Sequence, residues 1–474
     1  MRILYYNWVP FDEEKGVGRG VSVYLDTLIR EIKRYHPGTE VYFLSCGYHY
    51  DVKDRSLRYV EIENKYGELC KSYTVLNSPI VSPAYLSFFH LEKIFADESL
   101  SELFKTFLKE QGPFDIVHYH NIEGLSLSAL RISNQFPNTR FIYTAHNYYS
   151  VCPQVNLWKQ ERECCMQPDT DEKCIGCMME HVPMEKLRRK KALTYDLLMN
   201  FDEDKKKKYE IEAEEINREF YEEEHRELTD EEKDRLTKRL KKYRGTMTSV
   251  INANISCVIG VSKRTCRILE KNGIKNDKIR QLYIGTSAAD EEMKPIRVSD
   301  KKRIAVVYMG YQMRDKGYYF FIEAMNRLPE EIANRIDLTV AAKYNPKQRG
   351  EEIRSEKFAS YTYKDGYKRD EVKEILADKD LGVVPVLWED NLPQVAMEIA
   401  ASGVPVLASD RGGASELSDD ERFRFKAGDK EDFAEHISYF VNNPEALNGY
   451  WGNFNGLTTM REHIESLFRI YEEE

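Results

Sequence analysis

Two carboxylates close to an apolar run are the residues of this chain best placed to do chemistry. The run from Leu381 to Leu387 predicts a buried strand and ends in an acidic turn that contains Asp390. Glu398 follows eight residues later in a helical pattern, and a second apolar run, Val404 to Ala408, predicts the next strand. The pattern predicts one βαβ unit, whose helix start offers backbone N–H groups to a phosphate beside carboxylates that can bind hydroxyl groups. An ordinary βαβ unit with solvated acids is the alternative interpretation.

The segment resembles the donor-sugar signature of retaining glycosyltransferases of family 4. In that family two acids separated by seven residues precede an apolar helix that ends A-x-G-x-P-V, and here the tail reads AASGVPVLAS. Asp390 stands at the first acid position, which is normally Glu, and Glu398 stands at the second. The resemblance implies that Asp390 and the amides of Asn391 and Leu392 hold the transferred sugar. It implies that Glu398 orients the donor through hydroxyls of its ribose or sugar.

A second block of the resemblance is VVYMGYQMRDKGYYFFIEAM. Gly310, Lys316 and Gly317 match the family's G-R-x-x-x-x-K-G pattern, whereas Tyr311 replaces its arginine. The resemblance implies that Lys316 clamps the donor diphosphate and offsets the charge of the leaving group, while Arg314 could substitute for the missing arginine. A plain surface lysine is the alternative for Lys316. The implied donor-binding positions in this half of the chain are Gly310, Arg314, Gly366 and Tyr367, the last two beside the nucleotide base.

The first half of the chain carries the glycine loop GVGRGVSVYLDTL. Gly20 matches the second glycine of the family's pair, Arg19 replaces the first, and Gly18 precedes them. Because glycine lets backbone amides approach an oxyanion closely, the resemblance implies that this loop contacts the donor phosphate. A plain turn between strand and helix is the alternative.

Three histidines follow predicted strands in the same half. His146, in YTAHNYYS, matches the family histidine that faces the reacting sugar, where its ring would hydrogen-bond a hydroxyl. His118 and His120 match the family's D-x-V-H-x-H arrangement and are expected on the acceptor side, with His120 nearer the cleft. Packing or hydrogen-bonding roles inside the domain are the alternative for both.

A cysteine-rich segment runs from Cys152 to Cys177 and holds five of the nine cysteines. In a reducing compartment clustered cysteines favour a metal over disulfides. The pair Cys174 and Cys177 has the C-x-x-C spacing of zinc ligands, and Cys152 with Cys164 or Cys165 could complete four thiolates. Such a closed site would be structural, and free reduced thiols are the alternative.

Composition excludes some classes of protein. The chain has 474 residues and a formal net charge of -10, which argues against a nucleic-acid partner. It contains no run of about 18 apolar residues that would span a bilayer, and its start, MRILYYNWVPF, lacks the features of a signal peptide. We therefore expect a cytoplasmic location, with a peripheral contact at the inner face of a membrane left open.

The alternation of strands and helices predicts an α/β protein, and the resemblance implies the GT-B fold, in which two Rossmann-like domains face a cleft. Between the two halves lies a charged segment that we interpret as a helical insertion, either one long helix or a hairpin. The predicted divisions are an acceptor domain with the cysteine loop (1–182), the insertion (183–246), the end of the first domain with a linker (247–290), a donor domain (291–456) and a C-terminal helix that packs back on the first domain (457–474).

Together these features predict a retaining glycosyltransferase that uses a nucleotide-diphosphate sugar and needs no metal or other cofactor for catalysis. The implied acceptor is a glycan or lipid-linked saccharide, as in the bacterial-type relatives that extend polysaccharides. Two alternatives stay open: a non-catalytic GT-B scaffold or binding protein, and another GT-B enzyme such as a sugar-nucleotide epimerase. A phosphorylase would need a pyridoxal lysine context, which the sequence lacks.

Overall fold

The computed structural model describes residues 1–13, 18–51, 54–83, 91–159, 163–165, 174, 207, 229–290, 293–299, 301–345 and 350–473. Two largely parallel sheets organise these residues, one in each half of the chain. Alternate residues of the first strand enter different apolar clusters, Leu4 and Tyr6 in one and Ile3 and Tyr5 in the other. Both faces of that sheet are therefore covered, as the near-continuous apolar strands require. This arrangement confirms the predicted α/β class.

The first domain is built on an eight-stranded sheet. In chain order its strands and one separate hairpin (β7 and β8) are β1 (Arg2–Tyr6), β2 (Glu40–His49), β3 (Arg58–Ile62), β4 (Lys71–Leu76), β5 (Ile116–Tyr119), β6 (Arg140–Ala145), β7 (Trp158–Lys159), β8 (Glu163–Cys164), β9 (Cys257–Gly260) and β10 (Ile279–Gln281). The strand order is β10-β9-β6-β5-β1-β2-β4-β3, and β3 runs antiparallel to β4. Because β1 lies between β2 and β5, the loops after β1 and β5 meet at a switch point of the sheet.

Helices join these strands and cover them. They are α1 (Arg19–Tyr35), α2 (Leu91–Phe95), α3 (Glu98–Gln111), α4 (Leu127–Arg131), α5 (Asp230–Asn254) and α6 (Lys263–Lys271). Most of the predicted insertion, residues 183–206 and 208–228, lies outside the described part of the chain. The division expected at residue 246 falls inside α5, which a capping box at Thr229 opens. One side of α5 is buried in the core of the first domain through Leu236, Leu240, Tyr243 and Met247.

The second domain is a six-stranded parallel sheet. Its elements are β11 (Ile304–Tyr311), α7 (Tyr318–Arg327), α8 (Glu330–Ala333), β12 (Ile336–Lys343), β13 (Ser360–Lys364), α9 (Val372–Leu376), β14 (Leu381–Val384), α10 (Gln394–Ala401), β15 (Val406–Ser409), β16 (Arg424–Phe425) and α11 (Lys430–Asn442). The strand order is β13-β12-β11-β14-β15-β16. The chain therefore passes from β11 to opposite sides of the sheet, and the loops after β11 and β14 lie next to each other. In open α/β sheets such a switch point forms the ligand crevice.

The last helix, α12 (Met460–Glu472), returns to the first domain. A capping box between Thr459 and Glu462 begins the helix, because each side chain accepts a hydrogen bond from the other residue's backbone N–H. Its apolar side packs with α1 in the core of the first domain. Tyr471 near its end contacts the sheet itself, since its hydroxyl lies 2.7 Å from Nδ1 of His118.

Candidate active site

An ion pair occupies the switch point of the second domain. Lys316, in the loop after β11, places its Nζ 2.5 Å from Oδ2 of Asp390, in the loop after β14. The same ammonium group lies 5.3 Å from the centre of the Trp388 ring. The two residues are 74 positions apart in the chain, and only the adjacency of their strands brings them together. The structure thus joins a cation suited to a diphosphate with a carboxylate suited to sugar hydroxyls.

Gly317 fixes the position of Lys316. Its backbone is left-handed, with φ of 77°, and a Cβ atom built there would lie 1.7 Å from the carbonyl oxygen of Pro385. A second contact between the same two loops is the hydrogen bond from the Leu387 N–H to the Asp315 carbonyl, 2.9 Å. Only glycine allows this close approach, which explains the glycine that follows the lysine in the sequence pattern.

A glycine pair after β15 supports the turn that carries Asp390. A Cβ atom on Gly412 would lie 2.1 Å from the Asp390 carbonyl oxygen, and Gly412 itself has φ of 67°. The backbone N–H of Gly413 donates to the same carbonyl at 2.8 Å. This pair was not predicted to be functional, although two adjacent glycines shortly after a buried strand are a signal of close backbone approach.

Glu389, the neighbour of Asp390, is also tied into the site and was not predicted as functional. Its side chain is fully buried, and it accepts two hydrogen bonds from Arg264, at 2.8 Å from Nε and 2.5 Å from Nη2. Arg411 donates a further bond at 3.0 Å, and the Gly412 N–H another at 3.1 Å. Burial alone would raise the pKa of the Glu389 carboxyl, but these donors hold that pKa below its usual value.

Glu398 lies on α10 and is a different kind of carboxylate. Burial raises its pKa, and the guanidinium group of Arg369 opposes that rise. Burial also raises the pKa of the Tyr367 hydroxyl, and the negative charge of Glu398 adds to the increase. The predicted base-side residue Tyr367 and the predicted donor-orienting residue Glu398 therefore interact electrostatically.

The other predicted donor-side positions surround the carboxyl edge of the same sheet. Gly310 has a φ of 148° and Gly366 one of 72°. Tyr311, at the position of the missing arginine, is 51% exposed at the end of β11. Arg314 stacks over the Tyr319 ring, with its guanidinium carbon 5.3 Å from the ring centre. The structure therefore places Arg314 at the rim of the loop that carries Lys316.

The glycine loop of the first domain meets α10 across the cleft. The carbonyl oxygen of Gly20 accepts a hydrogen bond from Nε2 of Gln394, the first residue of α10, at 3.1 Å. Gly18 precedes α1, and a Cβ atom there would lie 1.7 Å from Oγ of Ser22. The side chain of Arg19 lies outside the described part of the structure. The structure thus brings Gly20 to the start of α10, while the contact of this loop with the donor phosphate stays a prediction.

The two predicted sugar-binding residues after Asp390 contact the first domain through their side chains. Nδ2 of Asn391 donates to the carbonyl oxygen of Ala145, at the end of β6, at 3.0 Å, while its Oδ1 is buried without a hydrogen-bond partner. The Leu392 side chain is buried in an apolar cluster otherwise formed mainly by the first domain. These contacts are made by side chains, and the binding of the transferred sugar by the two backbone amides stays a prediction.

The three histidines differ in what they can offer a ligand. Both ring nitrogens of His118 are used, one by the Tyr471 hydroxyl and the other by Oγ1 of Thr144, each at 2.7 Å. We therefore assign His118 a structural role in place of the expected acceptor-side role, because a fully paired buried ring has no atom left for an acceptor. Nδ1 of His120 lies 3.1 Å from Nε2 of His146, and His146 is half-buried at the cleft.

A group of four histidines links the first domain to α12, and in it His118, His120 and His463 are buried while His146 is half-buried. His463 on α12 lies 2.6 Å from the Tyr24 hydroxyl and 2.7 Å from the Tyr283 carbonyl oxygen. Burial lowers the pKa of His463 to about 4 and that of His146 to about 3. Burial also places the pKa values of His118 and His120 well below the ordinary value. These rings are therefore neutral at pH 7.

We expect the protein to lose stability as the pH falls below about 6.5, where a histidine of the unfolded chain begins to bind a proton. All four rings bind protons less readily in the folded state, because their pKa values are lowered there, so acidification favours the unfolded state. Each ring lowers the free energy of unfolding by about 1.4 kcal/mol per pH unit between about pH 6.5 and its folded pKa. Urea unfolding at a series of pH values measures this slope.

The variant His463→Gln tests the contribution of one ring, and its slope is expected to be shallower by that of one proton. His436→Gln is the matched control, because His436 is only partly buried on α11, away from the other four rings. A slope that is the same in His463→Gln and in the wild type would contradict the assignment.

The predicted zinc ligands are only partly described. Cys152 is buried, Cys164 and Cys174 are half-buried, and Cys177 lies outside the described residues. Nη2 of Arg244 lies 3.4 Å from Sγ of Cys174, and burial raises the pKa of the Cys164 thiol to about 12. Within the described ranges, no group of three or more His, Cys, Asp or Glu side chains is arranged to hold a metal ion. The zinc site stays a prediction.

Comparisons with known proteins agree with this architecture. Residues 289–453 match the family model described as glycosyl transferases group 1. The chain resembles the solved structures of sucrose-phosphate synthase from Thermosynechococcus elongatus (15% identity, TM-score 0.57, 99% of this chain and 98% of that chain covered) and of HepE from Anabaena in complex with UDP (12%, 0.55, 100% and 100%). It also resembles the lipopolysaccharide outer core galactosyltransferase WaaB (11%, 0.55, 99% and 100%). No curated protein sequence matches the chain.

These findings establish the fold as GT-B, with two Rossmann-like domains, as predicted. The family match covers the second domain, where Lys316, Asp390 and Glu398 lie. Together the two findings support the class of GT-B glycosyltransferases. Among the described helices, none is both long and apolar enough to cross a membrane.

Proposed function

We propose that the protein is a retaining glycosyltransferase of family 4 that transfers a hexose from a nucleotide-diphosphate sugar. The observation that carries the proposal is the Lys316–Asp390 ion pair at the switch point of the second domain. Asp390 lies in the turn that leads into α10. Gln394, the first residue of α10, contacts Gly20 in the glycine loop of the first domain. A cation, a carboxylate and a helix start in one crevice are the groups that a sugar diphosphate needs.

Lys316 and the start of α10 neutralise the diphosphate in this proposal. The ammonium group would exchange Asp390 for the phosphate oxygens, or bridge the two, as the donor enters. Asp390 and the backbone amides of Asn391 and Leu392 would then hold hydroxyl groups of the sugar. Since the lysine and the helix dipole supply positive charge, the proposed transfer uses no metal ion and no other cofactor.

Retention follows from the proposed use of the leaving group as the base. The acceptor oxygen forms its bond to the sugar carbon on the face from which the diphosphate departs, and a phosphate oxygen takes the acceptor proton. The carboxylates nearest the crevice are already engaged, Asp390 by Lys316 and Glu389 by Arg264 and Arg411. This engagement favours positioning roles for them over attack on the sugar carbon.

The acceptor is proposed to bind from the first domain. His146 is half-buried where β6 ends, and His120 contacts its ring from the buried side. A neutral imidazole there can exchange hydrogen bonds with hydroxyl groups of the donor sugar or the acceptor. We propose a growing glycan or lipid-linked saccharide as the acceptor, reached at the inner face of a membrane by peripheral contact.

Glu398 provides the first test. We expect Glu398→Gln to weaken binding of the nucleotide sugar about tenfold or more, because a carboxylate that accepts from two hydroxyls contributes more than the neutral amide. A panel of nucleotide sugars screened by thermal shift identifies the donor, and calorimetry with that donor compares the variants. Glu435→Gln, on the exposed side of α11, is the control that should bind like the wild type.

Product analysis with the nucleotide sugars of the same panel separates the alternatives. Slow release of free sugar from the bound donor, or transfer to an added acceptor, supports the transferase. Binding with no turnover of any donor would support a non-catalytic scaffold, and conversion of the bound sugar into its epimer would support an epimerase. Wild-type donor affinity in Glu398→Gln would contradict the role given to this residue.

A further inference from the structure

The turn that carries Asp390 belongs to the second domain, but the first domain holds it in several places. Glu389 is bound by Arg264 from α6, and Asn391 by the Ala145 carbonyl at the end of β6. Leu392 packs into the apolar cluster of the first domain. Asp390, between these residues, points instead to Lys316 of its own domain. The geometry around Asp390 thus depends on contacts that cross the cleft.

Among these contacts, the Arg264–Glu389 pair is the one that contains a fully buried charge. The Glu389 side chain is fully buried, whereas that of Arg264 keeps 28% of its surface exposed. A buried carboxylate is costly unless it is paired and hydrogen-bonded, and a guanidinium group that binds it through two nitrogens satisfies both requirements. Arg411 is the other side chain on this carboxylate, and it belongs to the second domain. Arg264 therefore supplies the part of the pairing that depends on how the domains are arranged.

The start of α6 is in turn held by the second domain. The backbone N–H groups of Lys263 and Arg264 donate to Glu416 at 3.0 and 2.6 Å, and the Tyr283 hydroxyl donates to the same carboxylate at 2.8 Å. A carboxylate at a helix N-terminus is favourable, because it meets unpaired N–H groups and the positive end of the helix dipole. Reciprocal contacts thus fix Arg264 and Glu389 against each other from both domains.

We propose that Arg264 is a positioning residue of the first domain that holds the Glu389–Leu392 turn so that Asp390 meets Lys316. When the two domains separate, the turn loses Arg264, the Ala145 carbonyl and the apolar contacts of Leu392 together. The sugar-binding turn is then complete only in the arrangement in which these cross-domain contacts form. This links domain closure to the assembly of the donor site, and as a statement about the donor it rests on the proposed function.

The test compares Arg264→Ala, Arg264→Lys and the double variant Arg264→Ala/Glu389→Ala with the wild type. Small-angle scattering reports the arrangement of the domains, and steady-state kinetics of donor hydrolysis reports the site. We expect Arg264→Ala to increase the radius of gyration and to lower kcat/KM for the donor about tenfold or more, as for loss of a charged hydrogen-bonded pair. Arg264→Lys keeps the charge without the paired geometry and should recover part of both losses.

The double variant distinguishes a loss of positioning from misfolding, because it removes the buried carboxylate that Arg264→Ala leaves with fewer partners. We expect it to fold and to keep the kinetic defect, since Glu389 no longer anchors the turn. Arg267→Ala is the matched control, because Arg267 is exposed on the same helix. Wild-type scattering and kinetics in Arg264→Ala and in the double variant would overturn the proposal. If no nucleotide sugar binds the wild type, the proposed function fails, while the scattering comparison still decides whether Arg264 holds the domains together.

Discussion

Replacing Lys316 by methionine is expected to lower kcat/KM for the sugar donor by about a hundredfold or more, the scale of losing one preorganised group at a developing charge. Methionine keeps an unbranched chain to pack beside the Trp388 ring but removes the ammonium group. The negative charge that develops on the departing diphosphate would then lack its nearest cation, and Asp390 would face that charge unpaired. Initial rates of donor hydrolysis and of transfer, measured with the donor found by the nucleotide-sugar panel, give the comparison.

Lys301→Met is the matched control for this experiment. Lys301 also pairs with a buried carboxylate, Asp380, at 2.7 Å, but Asp380 precedes β14 and so lies at the amino edge of the same sheet. Ligands of parallel sheets bind at the carboxyl edge, so the control should keep wild-type kinetics even if it loses some stability. Equal rates in Lys316→Met and the wild type would show that the switch-point ion pair has no part in the reaction.

The elements that hold Lys316 and Asp390 were readable from local sequence. An apolar run, a helical pattern and a second apolar run predicted β14, α10 and β15, because burial on both faces of a parallel sheet demands such runs. Gly317 was part of a recognised pattern, but its reason is only partly local, since the Pro385 carbonyl that excludes a side chain belongs to the loop after β14. Local patterns therefore account for the two strands and the helix, and the recognised pattern accounts for Gly317 and Lys316.

The partners of Glu389 were not predictable by the same reasoning. Arg264 lies 125 residues away in another domain, and no spacing rule connects a helix start in one Rossmann-like domain with a loop in the other. The acid itself stood in the sequence beside Asp390, but a charged residue in a loop is usually solvated, so its burial was not expected. Only the packing of the two domains shows that this carboxylate is buried.

His118 shows what a family pattern does not predict about a residue. The strand-end position suggested a place near the acceptor, yet its two ring nitrogens are paired with Tyr471 and Thr144. Tyr471 is near the end of the chain, and the return of α12 to the first domain is what puts it there. A resemblance to a family pattern identifies positions, whereas the availability of each ring nitrogen depends on contacts that the pattern does not contain.

A large loss of stability is expected for Gly317→Ala. The alanine Cβ would meet the Pro385 carbonyl oxygen at 1.7 Å, far inside contact distance, and the residue would also have to keep its positive φ of 77°. Backbone shifts that relieve the clash must separate the loops after β11 and β14, which are the two loops of the switch point. We expect the free energy of unfolding to fall by about 3 kcal/mol, the scale of strained backbone combined with overpacking. Urea unfolding of the variant and the wild type at pH 7 measures this difference.

Gly428→Ala separates the two causes of that loss. Gly428 has almost the same backbone conformation, with φ of 81°, but a Cβ atom there meets nothing within 4 Å. We therefore expect the free energy of unfolding of Gly428→Ala to fall by only about 1 kcal/mol, the cost of a left-handed backbone for alanine. The difference between the two variants isolates the clash with Pro385, and equal losses would mean that the loops after β11 and β14 separate without cost. Since Lys316 precedes Gly317 directly, a larger stability loss in Gly317→Ala than in Gly428→Ala would support this close packing as the feature that places the lysine beside Asp390.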